Sequence, residues 1–148
     1  MTCLGVVACA GLVSGTLDIT ATSILVKTQG GHLKRLFQGI ASGALGTSAF
    51  QGGKKTAAAG LLFHFIIAFV AATVFYLLSR RLTILLDNPF LSGAFYGAAV
   101  HLVMNRIVVP LSAAPKREFS AKAFLTQLII HVFFVGLPIA FIVSYLSR

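Results

Sequence analysis

Acidic side chains are nearly missing from this sequence: 3 Asp and Glu stand against 12 Lys and Arg in 148 residues. Charge of either sign is scarce, at 10%, where a soluble domain carries roughly a quarter. Apolar residues make up 57% of the chain. A core of this size cannot hide them all, because a small fold has much surface for its volume. A water-soluble globule is therefore excluded, and the solvent for most of this surface is lipid.

Other absences narrow the function. Cys3 and Cys9 are the only cysteines, both near the start, so a disulfide framework is not expected. Val6-Val7-Ala8-Cys9 faintly resembles a lipoprotein cleavage site. No basic region precedes it and the apolar run continues, so the chain from Met1 reads as an uncleaved first helix. There is no His-Glu-x-x-His run, no Gly-x-Ser-x-Gly elbow, no Cys-x-x-Cys pair and no phosphate-binding Gly-Lys-Ser/Thr loop. Paired acid–base chemistry lacks a second intramembrane carboxylate. An enzyme, a catalytic residue, a bound cofactor and a metal are accordingly not predicted. The formal charge of +9 sits in short loops, without a basic helix or an aromatic-basic module. It suits anionic headgroups rather than nucleic acid.

What is present is four long apolar runs, at about 3–26, 57–78, 90–112 and 123–146. Each is long enough, at 1.5 Å per residue, to cross a hydrocarbon core about 30 Å thick. Lipid offers no partners to open backbone groups, so the spans must be helices. Gly30-Gly31, Gly52-Gly53, Asn88-Pro89 and Pro115-Lys116-Arg117 punctuate the breaks. The prediction is an all-α polytopic membrane protein forming one transmembrane domain over residues 1–148.

The first loop carries an amphipathic segment at about 33–46. Leu33, Leu36, Phe37, Ile40, Ala41, Ala44 and Leu45 recur at helical spacing, with Lys34, Arg35, Gln38 and Ser42 on the other side. One reading is a helix lying among the headgroups, its basic face toward anionic lipid with Lys54 and Lys55 nearby. The other is a re-entrant segment, with Gly39, Gly43 and Gly46 permitting close contact with the bundle. Lys27, Lys34, Arg35, Lys54 and Lys55 in the first loop, and Lys116, Arg117 and Lys122 in the third, outnumber Arg80, Arg81 and Arg148 opposite. The excess places the first and third loops in the cytoplasm and both termini outside.

Small residues form stripes where helices touch. Ala8, Gly11, Gly15, Asp18 and Thr22 share a face of the first span, and Ala57, Gly60, His64, Ala68 and Ala71 share one of the second. The third offers Gly93, Gly97, His101 and Asn105. Gly11/Gly15 and Gly93/Gly97 are candidate contacts, including contacts between copies in a homodimer or larger membrane complex. Asp18, His64, Asn105, Arg106 and His131 all fall roughly 10–12 Å below the loop-one and loop-three surface at 1.5 Å per residue. An ionisable group at that depth is costly unless paired. The expected layer therefore joins Asp18 to Arg106, with His64, His131 and Asn105 as partners. Two alternatives stand: Arg106 snorkelling to headgroups, and Asp18 kept neutral and bonded locally.

Pro110 and Pro138 leave the carbonyls of Arg106 and Phe134 without a helical donor. A kink or a polar cavity follows. Three histidines on three spans, His64, His101 and His131, keep haem or metal ligation open as a lesser reading.

Several stretches together resemble a known group. They are Gly15-Thr16-Leu17-Asp18-Ile19, Gln38-Gly39-Ile40-Ala41-Ser42-Gly43, Ala49-Phe50-Gln51-Gly52-Gly53, Gly60 with His64-Phe65, Gly93-Ala94-Phe95-Tyr96-Gly97, and Met104 through Ser112. The chain resembles a family of bacterial integral inner-membrane proteins, the YagU-like group. That resemblance implies a bacterial inner-membrane location and a helical fold, and it carries no catalytic role. The expected function is small-solute or ion transport, proton-coupled through Asp18. A structural, assembly or lipid-organising subunit is the alternative.

Overall fold

The computed structural model describes residues 2–116 and 118–147. Met1, Arg117 and Arg148 lie outside the described residues, among them two of the cations in the orientation count. Every regular element among the described residues is helical. Four helices are long and apolar enough to cross a membrane: α1 (Cys3–Thr28), α3 (Gly53–Arg81), α5 (Pro89–Leu111) and α6 (Ala121–Leu146). Between them lie α2 (Leu33–Leu45), a 3₁₀ turn (Gly46–Phe50) and the one-turn α4 (Ile84–Asp87).

Local chemistry sets the boundaries. The Thr2 hydroxyl caps α1 by accepting from Gly5 N, Asn88 caps α5 by accepting from Leu91 N with Pro89 behind it, and Ser120 caps α6 by accepting from Ala123 N. Each supplies an acceptor to an otherwise open N–H of the first turn. Gly46 ends α2 at φ +61°, a conformation glycine adopts without the Cβ clash of other residues.

Both membrane prolines are absorbed by a widened turn. Met104–Val108 and His131–Gly136 are π-helical, with Val109 N bonded to Met104 O and Leu137 N to Val132 O. A proline ring clashes with the carbonyl four residues back in an α-helix. One extra residue per turn just before Pro110 and Pro138 relieves that clash without breaking either span.

Side chains on the outside are those of a lipid-facing protein. Leu62, Phe95, Leu102, Ile129 and Phe133 lie well exposed in mid-span. In water such a continuous apolar surface would drive aggregation. The core sits toward the end that holds the α1 start and the α6 terminus, where Val6, Ala10, Ala72, Phe75, Ile139, Ala140 and Val143 are buried together.

The glycine stripes are used inside the chain. Gly11 lies against Phe69, and Gly15 against Phe65 and Ala68. A Cβ on Gly93 would meet Leu137 Cα at 2.9 Å, and one on Gly97 would meet Val132 Cα at 2.7 Å. Gly136 faces the backbone of Gly93 and Gly97 in return. Gly11/Gly15 and Gly93/Gly97, expected at helix contacts, thus meet neighbouring helices of their own chain. These faces are already occupied by neighbouring helices, because each glycine found a complementary surface within its own chain.

The amphipathic segment also differs from expectation. It is a helix, α2, but Gln38 and Ser42, assigned to the headgroup side, are buried with Ala41. Gln38 Nε2 donates to Gly53 O at 3.1 Å, and Thr56 Oγ1 donates to Ala49 O at 2.6 Å. These bonds close the turn into α3, so polar side chains are needed on the inner face. Phe37 O meets Gly60 so closely that no Cβ would fit there. Ala113 N donates to Gly43 O at 2.9 Å, which brings the first and third loops to one end of the bundle. Lys34, Arg35, Lys54 and Lys55 stay exposed at that end, with Arg35 over the Phe50 ring.

Candidate functional site

At the loop-one end the bundle is hollow. A cavity of about 200 Å³ lies between α1, α3, α5 and α6, roofed by Leu36 and Ile40 of α2. It exists because the facing residues Gly15, Ala68 and Ala71 are small and no aromatic ring fills the gap. Its walls are apolar apart from Asp18, Thr22, His64, Gln127 and His131.

Asp18 and His64 form the centre of this site. The imidazole Nδ1 lies 3.9 Å from Asp18 Oδ2, and both side chains are almost buried, at 12% and 13% exposure for His64 and Asp18. His64 Nε2 is 2.8 Å from the carbonyl of Gly15. A carbonyl only accepts, so Nε2 carries a hydrogen and Nδ1 is the nitrogen turned to the carboxylate. Two arrangements make this contact attractive: imidazolium beside carboxylate, or imidazole beside carboxylic acid. Each holds one exchangeable proton across the two groups. With none, lone pairs oppose each other around a bare charge, which costs roughly 2.5–3.5 kcal/mol at membrane depth. The other oxygen, Asp18 Oδ1, is buried without a hydrogen-bond partner among the described residues.

His131 lines the same cavity from α6. Its Nδ1 lies 2.8 Å from Gln127 O, one turn earlier on its own helix. That carbonyl fixes the hydrogen on Nδ1 and leaves Nε2, on the opposite ring edge, as an acceptor.

Asn105 and Arg106 do not join this layer. Asn105 turns back on its own helix, its amide 3.2 Å from His101 Nδ1 and 3.0 Å from His101 O. Arg106 is exposed and stacks over Phe124 at 5.8 Å and Phe119 at 6.0 Å. The expected Asp18–Arg106 pair is therefore not formed. The reason is rotational: Met104 lines the cavity, whereas Asn105 and Arg106, next along the helix, fall on its exposed side. The guanidinium instead finds aromatic faces near the loop. Among the described residues no Lys or Arg forms an ion pair with Asp18.

Sequence reasoning missed Gln127, although its position one turn before His131 places both on one face. It also missed the seam role of Gly136 and the bond from Tyr96 Oη to Ala71 O at 2.6 Å. Of the three histidines, His101 and His131 lie ring against ring, with centroids 5.1 Å apart. Their contact leaves no slot between them for a flat macrocycle. No group of three His, Cys, Asp or Glu side chains placed to hold a metal occurs among the described residues.

Fold and surface together define an all-α polytopic membrane protein. Comparison with family models, curated proteins and solved structures finds no match to this chain.

Proposed function

We propose that this protein is a proton-linked membrane carrier of a small solute, working at the Asp18–His64 pair. One observation carries the reading: a carboxylate in a membrane-spanning helix lies 3.9 Å from an imidazole at the wall of a cavity, and one of its oxygens is buried without a hydrogen-bond partner among the described residues. Purely structural pairs are normally closed off on all sides, because every open polar atom in lipid is a loss. Here both residues line a space large enough for a small solute. With no Lys or Arg paired to it among the described residues, the charge on Asp18 can follow what enters the cavity.

The orientation and setting that go with this reading are a bacterial cytoplasmic membrane with the first and third loops inside. The exposed Lys34, Arg35, Lys54 and Lys55 support it as contacts for anionic headgroups, and so does the resemblance to the YagU-like group. A second reading is supported by the His64–Gly15 bond, which ties α3 to α1. In it the pair is interhelical glue in a structural or assembly subunit, which would co-purify with a larger partner.

Proteoliposomes with an internal pH dye separate the two. An imposed pH gradient is followed after adding ammonium, choline, acetate or glycerol. The carrier reading expects at least one solute to discharge the gradient through wild type and not through Asp18→Asn. Equal discharge by wild type and variant for every solute would sink it in favour of the glue.

A further inference from the structure

The polar side chains that line the cavity, Asp18, Thr22, His64, Gln127 and His131, can each accept a hydrogen bond, and Asp18 is the one carboxylate among them. Asp18 Oδ1 is a buried acceptor with no hydrogen-bond partner among the described residues. His64 has committed its Nε2 hydrogen to Gly15 O, so the neutral ring turns a lone pair toward Asp18. His131 has committed its Nδ1 hydrogen to Gln127 O and keeps a lone pair on Nε2. Two backbone carbonyls, on α1 and α6, thus set both tautomers so that neither imidazole has a donor to spare.

From this set we infer that the solute is a small lipophilic amine, bound as an ammonium ion through its N–H groups. The inference rests on the carrier reading for its transport role, while the ligand class rests on the Asp18 carboxylate and the acceptors beside it in an otherwise mostly apolar cavity. An anion meets a carboxylate and lone pairs, and is repelled. A neutral apolar molecule leaves Asp18 Oδ1 unsatisfied. An ammonium supplies up to three donors and a compensating charge at once. The remaining walls, among them Ile19, Ile40, Ile67, Val100 and Val135, suit a hydrocarbon group. At about 200 Å³ the cavity is larger than an engineered void of about 150 Å³ that takes benzene. Ile19 also lines a second groove, between α1 and α2, that includes exposed Thr20 and Ile24.

Exchange follows from the proton count. The empty pair holds one proton between Asp18 and His64. An arriving ammonium brings its own positive charge to the carboxylate, and the pair gives up its proton to water. One cation enters for one proton released, with no bond made or broken in the amine.

An isomer pair tests the ligand class. 2-Phenylpropan-2-ammonium and N,N-dimethylbenzylammonium have the same formula and charge, but the first keeps three N–H donors and the second one. Binding to purified wild-type protein in weakly buffered detergent solution is followed by calorimetry and by proton release. The three-donor isomer is expected to bind at least about tenfold more tightly, about 1.4 kcal/mol, with benzoate not binding. Proton release should accompany binding and be lost in Asp18→Asn. The inference is overturned if the isomers bind equally, if the one-donor isomer is preferred, if benzoate competes, or if neither amine binds. Should amines fail to bind while proteoliposomes show Asp18-dependent flux of another solute, the ligand class falls and the carrier stands. Amine binding with proton release but without flux leaves the ligand class and removes the carrier. The wild-type comparison holds whether or not the variant folds.

Discussion

The two ends of the bundle solve one packing problem in opposite ways. At the end nearest the termini, small residues on α1, α3 and α6 are matched by a large one. Phe75 is buried to 1% exposure, and its ring meets Tyr96 edge-on at 4.9 Å. At the loop-one end, Gly15, Ala68 and Ala71 bring helices together with no large side chain to fill the space. Ala71 belongs to both, packing in the core and lining the cavity. Small residues therefore give a dense core or a void according to what faces them. Lipid supplies no hydrophobic drive between helices, so close contact must come from shape. A hollow kept open at one end needs a firm seam elsewhere.

That contrast breaks hardest at the α5–α6 seam. Gly136→Leu should leave no folded bundle, seen as loss of the monodisperse peak in gel filtration, because its side chain would enter the backbone of Gly93 and Gly97. Phe75→Ala should cost about 3–5 kcal/mol in a reversible unfolding assay, as for other large-to-small core changes. A cost near zero would show that the dense end is not the stabilising one. Tyr96→Phe removes the bond to Ala71 O and should cost about 1 kcal/mol. At the hollow end Asp18→Asn should shift stability by only about 0.6 kcal/mol, the usual size of a membrane side-chain bond, while abolishing proton-linked flux. A large stability loss with flux intact would reverse the assignment of the two ends. Arg106→Ala should be smallest, about 0.5 kcal/mol for its exposed aromatic stacking.

Much of the fold could be read without coordinates. The runs at about 3–26, 57–78, 90–112 and 123–146 correspond to Cys3–Thr28, Gly53–Arg81, Pro89–Leu111 and Ala121–Leu146. Length and apolarity suffice there, because the bilayer imposes its thickness on any span. The prolines likewise marked where the helices would be interrupted, and both interruptions are π turns. Less of the site was readable. Depth along a helix follows from counting residues, and it grouped Asp18, His64 and His131 correctly. Rotation about the helix does not follow from counting. Asn105 and Arg106 share that depth and face elsewhere. The inner face of α2 was misjudged for a related reason: Gln38 is polar yet bonds Gly53 O in the turn into α3, and Ser42 is buried with its hydroxyl bonded to Gly39 O of its own helix.

Sequence by itself determined the solvent, the number of crossings, and the residues that lipid cannot tolerate unpaired. These follow from transfer energies that act on each segment separately. Tertiary structure alone decided which of those residues meet. It set His64 against Asp18 by a bond to the Gly15 carbonyl, turned Arg106 away, and left a space where no side chain reaches. Partners on different helices are chosen by how whole surfaces fit, and no single segment contains that information.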